Sequence, residues 1–158
     1  MASHVLERSQ VVPRPRAAAF AFFAEARNLE AITPPFLHFE ILPPVPARLE
    51  RGSLLDYRLS LYGWRFRWRT EIAAWEPGVR FVDVQLRGPF ALWRHEHRFE
   101  DAEPGTRVWD RVEYRLPLGP VGELAHAAAV RRTLERIFDY RRDRVAELLA
   151  GRDASVPP

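Results

Sequence analysis

Between residues 53 and 116, large apolar side chains alternate with polar ones, which is typical of strands that bury one face. The parity of the apolar positions switches at Tyr62-Gly63, which predicts a two-residue turn between two paired strands. The apolar residues are odd-numbered before the turn and even-numbered after it: Leu55, Tyr57, Leu59 and Leu61, then Trp64, Phe66, Trp68, Thr70 and Ile72. This register sets Tyr57 opposite Trp68.

Three further strands follow the same alternation. Even positions stay apolar after the turn at 76–78, so we expect Val82, Val84 and Leu86 to face the core. Beyond Gly88-Pro89 the apolar face moves to odd positions, which are Ala91, Trp93, His95, His97 and Phe99. The final strand carries Val108, Asp110, Val112, Tyr114 and Leu116 on one face.

The outward residues of the last hairpin support one register. If Phe99 lies opposite Val108, opposite charges face each other across the strands, and such pairs stabilise a sheet. These pairs are Glu100 with Arg107, Glu96 with Arg111, and Arg94 with Glu113. The same register places His97 directly opposite Asp110 on an otherwise apolar face.

Helical patterns lie on both sides of this region. A strand at 5–12 precedes a helix that starts near Arg16, after a proline, and a short helix near 29–32 precedes a second strand at 38–42. Residues 121–150 contain no helix breaker and predict one long helix. At 100° per residue its apolar stripe contains Ala127, Val130, Leu134, Ile137, Phe138, Arg141, Val145 and Leu148. Because small residues line its first half, we expect a cavity between that half and the sheet.

Composition narrows the class of protein. The 158 residues suit one domain at 1–150, and we expect residues 151–158 to form a frayed tail. All 24 basic residues are arginine, against 21 acidic residues, so the net charge is only +3. The absence of cysteine excludes disulfides, thiolate metal sites and cysteine nucleophiles. No apolar stretch reaches the length of a transmembrane segment and no signal-peptide layout is present, so we expect a cytoplasmic protein.

The element order resembles the helix-grip fold of the SRPBCC superfamily, which includes START-type lipid binders and birch-pollen-allergen-like proteins. Stretches similar to bacterial ligand-binding SRPBCC domains, near the polyketide cyclase/dehydrase and coenzyme-Q-binding branches, include Ala26-Arg-Asn-Leu-Glu-Ala-Ile-Thr-Pro-Pro and Asp110-Arg-Val-Glu-Tyr. The resemblance implies an α+β fold with a seven-stranded antiparallel sheet curved around a long C-terminal helix. It also implies two short helices between strands 1 and 2, and an elongated apolar cavity.

The aromatic residues on the expected concave face have two interpretations. They are Tyr57, Trp64, Phe66, Trp68, Trp93, Phe99 and Tyr114. They either fill the core, or line a cavity of about 300–1,000 Å³, the usual size of ligand sites. On the second interpretation the ligand-binding candidates are Tyr57, Trp68, Trp93, His95, His97, Asp110, Tyr114, Ala127, Ala128 and Val130.

The polar residues on that face also leave alternatives open. His97 and Asp110 form either a buried structural pair or a general base whose ring is oriented by a carboxylate. Arg141 either forms a salt bridge or pairs with an acidic ligand. His95 and His97 match no recognised zinc signature, so we expect neither a metal nor a cofactor. We expect the isolated residues His38 and His126 to lie at the surface or to have loose hydrogen-bond partners.

Three functions are compatible with these features. The first is a carrier or sensor for a lipid, quinone, polyketide or aromatic metabolite. The second is a polyketide cyclase/dehydratase-like enzyme in which His97 and Asp110 transfer protons. The third is an interaction surface at Arg65, Arg67 and Arg69, whose charge Asp56, Glu71 and Asp83 would offset. We expect no nucleic-acid partner, and either a monomer or a homodimer.

Overall fold

One antiparallel sheet and a long helix across its face dominate the computed structural model, which describes residues 3–150. The predicted frayed tail at 151–158 lies outside the described residues. The N-terminal elements are β1 (His4–Val12), α1 (Arg16–Ala24), α2 (Asn28–Ala31), a 3₁₀ helix (Pro35–Leu37) and β2 (Glu40–Leu42). The remaining strands are β3 (Leu54–Leu61), β4 (Trp64–Glu76), β5 (Arg80–Arg87), β6 (Leu92–Ala102) and β7 (Gly105–Arg115).

The strand order is β1-β7-β6-β5-β4-β3-β2, so the seven-stranded antiparallel sheet is confirmed. Both hairpin registers read from parity are also confirmed. Tyr57 pairs with Trp68 in β3–β4, and His97 pairs with Asp110 in β6–β7. Arg94 lies opposite Glu113 as expected, but its side chain contacts Glu96 on its own strand.

The predicted face of β5 is wrong. The β4–β5 register shifts between Ile72 and Ala74, so one extra residue, Ala73, enters β4. An extra residue of this kind moves every later side chain to the opposite face. Phe81 and Asp83 therefore line the interior. Of the three residues expected there, Val82 is buried but lies outside the core clusters and the cavity wall, Val84 is half-buried and Leu86 is exposed.

The predicted long helix starts two residues earlier than expected and is not uniformly α-helical. It runs through α3 (Gly119–Ala125), a π-helical turn (His126–Val130) and α4 (Arg131–Ala150), which together we call the C-terminal helix. A π turn takes up one extra residue. The side chains that precede it therefore point in different directions from those that a uniform α-helix would give. Gly122 and His126 point inward, whereas Ala127 and Ala128, expected in the cavity wall, are exposed. At the other end Leu149 is buried in place of Leu148.

Apolar residues from the sheet, α1 and the C-terminal helix form the core. One cluster joins Phe20, Phe81, Phe99 and Val145, so Phe99 packs in the core as the first interpretation of the aromatic face requires. Trp64, expected on the concave face, is 71% exposed because it begins β4 at the tip of a hairpin. No helix within residues 3–150 is long and apolar enough to cross a membrane.

Candidate functional site

Two histidines and two aspartates from adjacent strands meet in the interior. Asp83 on β5 lies opposite His95 on β6, and Asp110 on β7 lies opposite His97 on β6. The shortest hydrogen bonds cross these pairs diagonally. His97 Nε2 donates to Asp83 Oδ2 at 2.8 Å, and His95 Nε2 donates to Asp110 Oδ1 at 2.8 Å. We refer to these four residues together with Arg141 as the charged cluster.

Arg141 reaches this group from the C-terminal helix. It is 7% exposed, and its Nη2 lies 3.5 Å from Asp110 Oδ1. His97 Nδ1 lies 3.3 Å from the same oxygen and 3.4 Å from Arg141 Nη2, so the protonated ring donates to Asp110 and the neutral ring accepts from Arg141. The guanidinium also lies over the ring of Phe23, 5.3 Å from its centroid. Arg141 therefore forms the salt bridge that was one of its two interpretations.

The pKa shifts in the cluster follow from burial and neighbouring charge. Burial alone would raise the pKa of Asp110, but Arg141 and the two histidines outweigh it and hold that pKa well below its usual range. Burial, then the adjacent His97, lower the pKa of His95 to about 4. Burial would also lower the pKa of His97, but hydrogen bonds to Asp110 and Asp83 raise it. Below the raised pKa of His97 and above the pKa of His95, two carboxylates therefore face Arg141 and a protonated His97, while His95 is neutral.

A largely apolar cavity of about 190 Å³ lies between the sheet and the C-terminal helix, and the cluster forms part of its wall. Its volume is below the size expected for ordinary ligand sites. Its apolar and aromatic wall includes Leu37, Phe39, Leu55, Tyr57, Leu59, Trp68, Phe90, Trp93, Val130, Leu134, Ile137 and Phe138. Its polar wall includes Thr70, Asp83, His95, His97, Thr133 and Arg141.

The structure brings six of the ten predicted ligand-binding residues to this wall: Tyr57, Trp68, Trp93, His95, His97 and Val130. Asp110 lies behind the histidines and contacts them without lining the cavity. Tyr114 is buried elsewhere and shares a hydrogen bond of 2.8 Å with His126. Ala127 and Ala128 lie on the outside of the helix.

Sequence reasoning placed Asp83 on the outer face, so it missed one of the two carboxylates. The signal was the run Ile72-Ala-Ala-Trp75, which interrupts the alternation of β4 where the bulge occurs. It also treated His126 as isolated, although His126 is buried beside Tyr114. Among the described residues, the buried Nε1 of Trp68 and Nε of Arg141 lack hydrogen-bond partners.

Two groups of potential metal ligands occur in the part of the chain that the structure describes. They are Asp83 with His95 and His97, and His4 with Glu123 and His126. The rings of His95 and His97 are tilted by 31° with centroids 3.7 Å apart, and those of His4 and His126 are stacked with centroids 3.6 Å apart. One nitrogen of each ring already shares a hydrogen bond with a carboxylate or a tyrosine hydroxyl. The geometry favours hydrogen-bonded networks in both places.

Comparison with protein families finds one match that covers most of the chain. Residues 12–138 match the family described as polyketide cyclase / dehydrase and lipid transport. A search of curated protein sequences finds no match.

Solved structures share the fold at low sequence identity. Protein CV1439 from Chromobacterium violaceum superposes with a TM-score of 0.73 and 12% identity, covering 94% of this chain and 98% of its own. Protein TTHA0849 from Thermus thermophilus superposes with a TM-score of 0.64 and 20% identity, covering 94% of this chain and 97% of its own. Major latex-like protein 151 from Panax ginseng superposes with a TM-score of 0.67 and 11% identity, covering 94% of this chain and 99% of its own. These similarities establish the helix-grip architecture.

The charged cluster predicts strong energetic coupling between Arg141 and Asp110. Arg141→Met should lower the free energy of unfolding by about 3 kcal/mol, because it leaves a buried carboxylate with less compensation. The exposed neighbour is the control, since Arg142→Met should change stability by less than about 0.5 kcal/mol. In a urea-denaturation cycle, Arg141→Met with Asp110→Asn should be less destabilised than the sum of the single variants. Strict additivity would show that the pair is not coupled.

Proposed function

Because the chain belongs to the polyketide cyclase/dehydrase and lipid-transport family, we propose that it is a carrier or sensor for a small, largely apolar molecule. The ligand would occupy the cavity between the sheet and the C-terminal helix. The observation that carries the proposal is the aromatic cavity of about 190 Å³ whose wall includes a buried, charge-balanced cluster. Ligand sites commonly combine an apolar wall with a few polar groups that fix orientation.

The volume favours a compact ligand. An apolar protein cavity of about 150 Å³ holds benzene, so a cavity slightly larger than this suits a molecule of one or two rings. Trp68 and Trp93 meet edge to face in the wall, with centroids 5.1 Å apart. Such rings offer both a face and an edge to an aromatic ligand.

Polar groups in the wall favour a ligand that carries an oxygen atom. Neutral His95 donates from Nε2 to Asp110, which leaves its Nδ1 as an acceptor 3.8 Å from the nearest Asp83 oxygen. The N–H groups of Trp68 and Arg141 noted above lack acceptors. A hydroxyl or carbonyl oxygen would provide partners that these groups do not have within the protein.

A second candidate is proton transfer on a bound carbonyl compound, and His95 suits this role better than His97. His95 has the geometry of a base oriented by a carboxylate, whereas both ring nitrogens of His97 already face aspartates. However, a pKa of about 4 makes His95 a weak base near neutral pH. We therefore place the carrier first.

Ligand binding is tested by filling the cavity from the C-terminal helix. Val130→Phe adds bulk to the wall and should weaken binding of 1-naphthol at least about tenfold, a loss of roughly 1.4 kcal/mol. Ala128→Phe adds a similar ring to the exposed side of the same helix and should leave the affinity unchanged. Isothermal titration calorimetry provides both affinities. Equal binding by the two variants, or none by the unmodified protein, would contradict the proposal.

The polar part of the wall is tested in the same assay with naphthalene, which lacks the hydroxyl. The unmodified protein should prefer 1-naphthol, and His95→Phe should reduce that preference because it removes the Nδ1 acceptor. Naphthalene affinity serves as the internal control for cavity shape. A preference that survives His95→Phe would place the ligand oxygen elsewhere.

The enzymatic alternative is tested without knowledge of its substrate. A base in the cavity would remove an α-proton from bound 1-tetralone and return a deuteron from D₂O, which NMR detects as loss of the α-proton signal. The carrier proposal predicts exchange no faster than in buffer. Acceleration that disappears in His95→Phe would instead establish proton transfer.

A further inference from the structure

The most exposed large apolar side chains are concentrated at one end of the molecule. Within residues 3–150 the seven most exposed are Val5, Tyr62, Trp64, Leu86, Leu118, Val121 and Leu124. Their exposed fractions run from 49% at Leu86 to 76% at Leu118. We call this set the apolar end.

The strand pairing places these residues at the same edge of the sheet although they are distant in sequence. His4 pairs with Tyr114, so β1 begins where β7 ends. Leu92 pairs with Arg115, so β6 begins at the same edge of the sheet. The β3–β4 turn and the connection from β5 to β6 also lie at this edge, and the C-terminal helix starts there. The opposite edge holds the β4–β5 and β6–β7 turns, where Val79 is the most exposed large apolar residue at 44%.

Positive charge accompanies the apolar end. Segments 61–67, 86–91 and 115–121 contain four arginines and no acidic residue. Arg65, Arg67 and Arg87 are exposed and form no close ion pair with any described residue, although Asp56 interacts with Arg67 and Arg87 at longer range. The first turns of the C-terminal helix carry a single acid, Glu123, whose carboxylate already contacts His4 at 3.0 Å.

We propose that the apolar end docks on an anionic phospholipid surface. Tyrosine and tryptophan favour the boundary between lipid headgroups and acyl chains, where one side of the ring is wet and the other apolar. Leu118, Val121 and Leu124 would enter this boundary, and the arginines would contact lipid phosphates. A second protein copy would also cover apolar side chains, but like charges on both copies would oppose that contact. Charge complementarity therefore selects the lipid surface.

The docking surface adjoins the cavity without depending on it. Leu61 and Pro89 line the cavity and lie in the same two hairpins as Trp64 and Leu86. A molecule that leaves the membrane would meet the cavity wall close to the docking surface. Membrane binding itself needs no ligand, so it goes beyond the proposed function and is tested separately.

The test is co-sedimentation of the ligand-free protein with vesicles. Vesicles of phosphatidylcholine with about one third phosphatidylglycerol should bind the protein at low salt, and vesicles of phosphatidylcholine alone should bind it much more weakly. Trp64→Ser with Leu118→Ser and Leu124→Ser should weaken binding about a hundredfold. Arg65→Gln with Arg67→Gln should weaken it about fivefold per arginine, and added salt should reproduce that loss.

Matched controls are exposed apolar residues away from this end. Val79→Ser and Trp109→Ser remove side chains that are 44% and 37% exposed, and both should leave vesicle binding unchanged. Circular dichroism melting identifies any variant that unfolds. If the apolar-end variant unfolds, the arginine variants alone test the proposal. Equal binding to both vesicle types, or unchanged binding of the apolar-end variants, would overturn the proposal. Light scattering tests for a dimer. If the protein is a dimer and only the apolar-end variants dissociate it, the surface binds a second copy, and the membrane proposal is overturned.

Discussion

Two aspartate carboxylates, Asp83 and Asp110, lie largely buried between the strands and the C-terminal helix, with side chains 16% and 12% exposed. Removing an ion from water costs several kcal/mol even after relaxation, so Asp83 and Asp110 must be matched by positive charge. His97 and Arg141 provide that match, and His95 completes the hydrogen bonding. Because these residues come from β5, β6, β7 and the C-terminal helix, the match exists only when the helix lies correctly across the sheet.

The cluster also determines what the cavity offers. Aromatic and aliphatic side chains form most of the wall, and the charged cluster provides groups whose positions are fixed by their own hydrogen bonds. Phe81 stacks on His97 with centroids 4.1 Å apart, which restricts the ring further. A small apolar molecule with one oxygen matches this combination of shape and polarity. An acidic ligand matches it less well, because Asp83 and Asp110 already balance the positive charge of Arg141 and His97.

Much of the sheet could be predicted because tight hairpins transmit register over many residues. The Tyr62-Gly63 turn fixed β3 against β4, and charge pairs on the outer face fixed β6 against β7. The position of His97 opposite Asp110 followed directly. The errors arose at two local insertions, the bulge at Ala73 and the π turn at 126–130. Each shifts the period by one residue. A strict alternation or a uniform 100° step carries the old phase past such an insertion unless a local break, such as the run Ile72-Ala-Ala-Trp75, is recognised. Asp83 and the true inward face of the helix were lost for that reason.

One histidine of the cluster should be neutral and the other protonated, and NMR titration of the imidazole resonances can measure both. Variants His95→Gln and His97→Gln provide the assignments. The account predicts that His95 titrates with a pKa of about 4, and that the pKa of His97 lies above that of a free histidine, about 6.5. Two histidines that both titrate near the free value would mean that they are solvated and unpaired, which would contradict the account.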